Sequence, residues 1–130
     1  MMTLEEAGAL LDTLAEELPP EFYRELNGGV LLAAETKTHP EARPGDPLYI
    51  MGEYRSGGTL GRQIILYYGS FARVLGDSPP AVWEKDLRAT LRHEFTHHVE
   101  SLAGAKGLIV KDERFMAGYR TRGRTSERER

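Results

Sequence analysis

The chain has 130 residues, a net charge of −3 and no cysteine. That length fits one domain able to bury a core, with little left over for a second. The acidic balance excludes a general basic surface for nucleic acid or an anionic membrane. The lack of thiols excludes disulfides and leaves histidine, carboxylate, carbonyl or water as the means of holding a metal.

No apolar run approaches the roughly 18 residues of a transmembrane helix, and no charged-then-apolar leader is visible. Neither a membrane span nor a secretory signal is expected, and the expected location is the cytoplasm. Taken in order, Leu4, Ala7, Leu10, Leu11, Leu14 and Leu18 recur at three- and four-residue spacings with acids between them, which predicts a surface helix over 2–18 that stops at Pro19-Pro20. Residues 21–26 read as one or two further helical turns. Asn27-Gly28-Gly29 then breaks the chain before the apolar run 30–35, a buried-strand candidate.

Pro40, Pro44 and Pro47, with Gly45 and Asp46, describe an exposed loop over 36–47, in which His39 reads as solvated surface. Residues 48–54 suit a short strand or a helical turn, and periodicity does not separate the two. The glycine-rich stretch 55–61 lacks the Gly-Lys-Ser/Thr ending of a phosphate-cradling loop, so nucleotide binding is not expected. Gln63-Ile64-Ile65-Leu66-Tyr67-Tyr68 is the clearest strand, β-branched and aromatic between Gly61 and Gly69, and 71–75 suits a short helix. If strand 63–68 lies at the sheet edge, its main chain could pair with an extended peptide; as an interior strand it would have nothing to offer one.

Ser78-Pro79-Pro80 starts a helix expected to run to about residue 103, and this helix carries His93-Glu94-Phe95-Thr96-His97. Two histidines four apart stand one turn above each other and can converge on one metal ion. Glu94 lies about 100° around the helix from His93, off the ligand pair but near a water on the metal, where it can act as general base. On the same wheel Leu87, Leu91, Phe95, Val99 and Leu102 fall between about 120° and 240°, a packing stripe opposite the metal face. His98, at about 140°, points toward that stripe and reads as a hydrogen-bonded core histidine. Ala103-Gly104 reads as the helix stop. Leu108-Ile109-Val110 is apolar, 112–119 reads as a last short helix, and the polar tail 120–130 is expected to be disordered.

His93-Glu94-x-x-His97 followed by His98, with the later run Lys111-Asp112-Glu113-Arg114-Phe115, resembles a family of small bacterial zincin-like metallopeptidases. Their signature is His-Glu-x-x-His-x-x-Gly-x-x-Asp, and the resemblance covers residues 1–120. It implies a single α+β zincin-like domain over 1–119, with a small mixed sheet of three or four strands packed on the motif helix, a backing helix at the N-terminus and a short helix at the C-terminus. It also implies zinc as cofactor and a peptide or protein as substrate.

Here the sequence departs from the signature, with Glu100 in the glycine position and Ala103 in the acid position. Asp112 is the first choice for the third metal ligand, although it also suits the N-cap of the last helix. Glu100 is the rival, near −20° on the wheel and so on the metal face, at about 100° per residue. A catalytic site would hydrolyse peptide bonds with metal-activated water and Glu94 as base. Tyr67, Tyr68 and Tyr119 are the candidates to stabilise the oxyanion. The alternative function is a degenerate zincin that binds metal and serves as a binding module without proteolysis.

Overall fold

The computed structural model describes residues 1–59 and 61–105. Helix α1 spans Leu4–Ala15 and begins in a capping box: the Thr3 hydroxyl accepts from the Glu6 amide at 3.1 Å while the Glu6 carboxylate accepts from the Thr3 amide at 2.9 Å. Its apolar spacing turns Ala7, Leu11 and Leu14 inward. Beyond Pro19 the chain makes one 3₁₀ turn, Pro20–Tyr23.

Strand β1 is Gly29–Ala33, β2 is Gly52–Arg55 and β3 is Gln63–Tyr67. The sheet order is β1-β3-β2, with β1 parallel and β2 antiparallel to β3, so the fold is α+β with a small mixed sheet. β3 is therefore the central strand, and the alternative of an edge position for 63–68 does not hold. Hydrogen-bonded on both sides, β3 has no free edge for a peptide, and among the described residues β2 has one. The ambiguous segment 48–54 resolves as strand from Gly52 onward.

β3 alternates between two environments. Ile64 and Leu66 enter the main core with Leu11, Leu14, Met51, Phe71, Trp83, Leu87, Leu91 and Phe95, whereas Ile65 and Tyr67 join Ile50 in a smaller cluster on the other face. Tyr67 ends the strand and is also the N-cap of helix α2, Tyr68–Leu75, which starts with no intervening loop and three residues earlier than its sequence suggests.

Helix α3, Pro80–Ala105, is the long element against which the sheet and α1 both pack. Trp83, Leu87, Leu91 and Phe95 are at most 1 % exposed, and each such burial contributes about 1.5–3 kcal/mol. The Trp83 indole N–H donates to the Gly76 carbonyl at 3.3 Å.

The packing stripe departs from expectation at Val99, which is 41 % exposed while His98 is fully buried. A row of residues four apart drifts by about 40° per step around the helix, so after Phe95 the next inward position falls to His98. No described helix is long and apolar enough to cross a membrane. The helix expected at 112–119 and the tail at 120–130 lie outside the described residues.

Candidate metal centre

The paired histidines stand one turn apart on α3, His93 buried and His97 half-buried. His93 is 5 % exposed, and its Nε2 lies 3.2 Å from Nε2 of His97, with the rings nearly perpendicular at 89°. A tetrahedral zinc ion with bonds of about 2.0–2.1 Å keeps its ligand atoms about 3.3–3.4 Å apart. The separation of the two nitrogens therefore fits a single zinc ion held between them.

Glu94 is 1 % exposed and lies under β2. The strand comes this close because position 52 has no side chain: a β-carbon on Gly52 would stand 2.9 Å from Thr90 Cγ2 and 3.4 Å from Glu94 Cγ. Sequence reasoning missed Gly52. Its one available signal was a lone glycine between Met51 and Glu53 in a strand candidate, which marks a close backbone approach.

Glu94, His97, Glu100 and Ser101 from α3 and Glu53 and Tyr54 from β2 line an open cleft of about 430 Å³. Glu53 is tied to its neighbours through its carboxylate. It accepts from Lys37 Nζ at 2.8 Å, from the Tyr67 hydroxyl at 2.5 Å and from Arg55 at 3.4 Å. Burial favours the neutral acid, but the Lys37 and Tyr67 hydrogen bonds and the nearby cations outweigh it, and its pKa falls below the ordinary carboxylate value. The Tyr67 hydroxyl is pushed up by burial and then by that same carboxylate.

Of the two neighbouring tyrosines, Tyr68 is directed away from the cleft, whereas the Tyr67 hydroxyl is bound to one of its residues. The Tyr67 hydroxyl donates to Glu53, a residue of the cleft wall, and the Tyr68 hydroxyl donates to the Met2 carbonyl at 2.6 Å, beside Trp83. Tyr119 lies outside the described residues. Tyr54, which the sequence did not single out, lines the cleft.

The other sequence candidates are distributed as follows. His98 is a core histidine, between the Tyr54 hydroxyl and the Arg24 carbonyl, each at 2.8 Å. His39 stays in its loop, where Nδ1 accepts from the Glu41 amide at 3.1 Å. Glu100 stands 3.3 Å from Nδ1 of His97, the ring nitrogen that faces away from His93. Asp112 lies outside the described residues, and among those described no group of three or more histidine, aspartate or glutamate side chains is gathered as a complete metal site.

No protein-family model and no curated protein matches the chain. Among solved structures it is similar to a conserved hypothetical protein from T. thermophilus, with 38 % identity and a TM-score of 0.69 over 79 % of this chain and 99 % of that one.

Proposed function

We propose that this chain, which belongs to the same family as the T. thermophilus hypothetical protein, is a zinc-dependent metallopeptidase of the zincin-like kind. The observation that carries the reading is the 3.2 Å approach of the His93 and His97 Nε2 atoms, with Glu94 between them in sequence and on the wall of an open cleft. His93 and His97 hold the metal, and Asp112 is the proposed third protein ligand. Zinc bound there supplies a water acidified toward neutrality and a Lewis acid for the substrate carbonyl.

Glu94 takes the proton of the attacking water on its carboxylate and returns it to the departing amine. Glu94 is 1 % exposed, packed beside Gly52 of β2. The outer edge of β2, which also contributes Glu53 and Tyr54 to the cleft, is where an extended peptide would add by main-chain hydrogen bonds. The cytoplasm is the proposed setting; no described helix is long and apolar enough to cross a membrane.

Metal content and a peptidase screen test the reading together. One zinc per chain in wild type, lost in His93→Ala, His97→Ala and Asp112→Ala, and peptide hydrolysis abolished in a Glu94→Gln variant that keeps its zinc, is the expected result. Zinc without hydrolysis in wild type would favour the non-proteolytic metal-binding module. No zinc uptake would overturn both.

A further inference from the structure

We propose that Glu100 is a positioning residue for the metal pair, fixing the tautomer and the ring plane of His97; this rests on the metal reading above. Glu100 lies three residues after His97 on the same face of α3, and its Oε1 stands 3.3 Å from His97 Nδ1. An ionised carboxylate can only accept, so the hydrogen bond requires the proton on Nδ1. The lone pair of His97 then resides on Nε2, the atom 3.2 Å from Nε2 of His93.

The carboxylate thus presents the ligand nitrogen toward the metal position from behind the ring. Carboxylates placed in this way raise the basicity of a ligand histidine and restrict its rotation. The need for such a partner differs between the two histidines. His93 is 5 % exposed, whereas the His97 side chain is 31 % exposed and lines the open cleft, so less packing fixes its ring. Glu100, itself 35 % exposed, supplies the constraint from the same helix.

The test compares wild type, Glu100→Gln and Glu100→Ala by zinc titration against a chromophoric chelator, by melting of the metal-free proteins, and by imidazole nitrogen NMR of His97 without metal. The amide oxygen of glutamine can still accept from Nδ1–H. Glu100→Ala is expected to weaken zinc binding about tenfold, the lower end of the range for such partners because the pair is partly exposed. Glu100→Gln should recover most of that loss, and the metal-free melting midpoints should coincide.

In the NMR experiment His97 should carry its proton on Nδ1 in wild type and Glu100→Gln, with the Nε2–H form rising in Glu100→Ala. Unchanged zinc affinity in Glu100→Ala, or an Nε2–H tautomer in wild type, overturns the inference alone. A Glu100→Gln variant as impaired as Glu100→Ala also overturns it, in favour of direct ligation by the carboxylate. Failure of wild type to take up zinc overturns the metal reading and, with it, this inference.

Discussion

Tyr54 donates its hydroxyl hydrogen to Nδ1 of His98 across 2.8 Å, from strand β2 to the motif helix. The direction follows from the other end of the imidazole, where Nε2 faces the Arg24 carbonyl at 2.8 Å and must be the donor, since a carbonyl only accepts. One neutral tautomer satisfies both contacts, and burial lowers the His98 pKa in the direction that keeps the ring neutral. Three segments distant in sequence are joined at one side chain. Tyr54→Phe removes the donor and leaves a buried nitrogen unsatisfied, so a loss of about 1–3 kcal/mol is expected in urea unfolding.

Gly52 controls how closely β2 lies on α3. Gly52→Ala inserts a methyl 2.9 Å from Thr90 Cγ2 and 3.3 Å from the Ile65 carbonyl. Overpacking of this kind costs about 1–3 kcal/mol. Thr90→Ser removes the nearer obstacle, so the double variant should regain part of the loss. Equal stability of the single and double variants would show that the strand, and not Thr90, absorbs the added carbon.

Glu53 gives the fold an acid-sensitive component. Its pKa is lowered in the folded chain, so the folded state binds that proton less readily than the unfolded one. The stabilisation is present above the ordinary carboxyl value of about 4.3 and is lost as pH falls through the lower folded value. Glu53→Gln should reduce stability near neutrality and flatten its dependence on pH in acid. Unfolding curves from about pH 7 down to about pH 3 for the two proteins compare the slopes.

Removing metal should lower stability wherever zinc binds the folded state alone. At free zinc about a hundredfold above Kd the gain is about 2.7 kcal/mol. Chelator should return the melting midpoint of wild type to its metal-free value, and zinc should leave His97→Ala unmoved. A zinc-dependent rise in His97→Ala would point to ligands other than the proposed pair.

The elements with strong periodicity were legible before the structure. The α1 spacing, the β-branched run of β3 and the start of α3 at Pro80 all follow from local chemistry. So did the reading of His98 as a core histidine. Strand order was not legible, because pairing on both sides of β3 depends on segments far apart in the chain. The Lys37–Glu53–Tyr67 group spans separations of 16 and 14 residues and leaves no periodic trace. Tyr67 and Tyr68 look alike as neighbours in sequence, yet a strand ends and a helix begins between them, and their hydroxyls reach opposite sides of the sheet.

That same junction divides the chain into places where length can change and one where it cannot. An added residue between Tyr67 and Tyr68 has no loop to absorb it, and would rotate α2 relative to the sheet and pull Phe71 from the core. The proline-rich excursion over 40–47, exposed along most of its length, is closed by short bridges at Arg43–Asp46 and Thr38–Tyr49 and can bulge outward. A fluorophore-bearing tag or an inserted protease site therefore belongs in the excursion, where it can be carried without entering the fold.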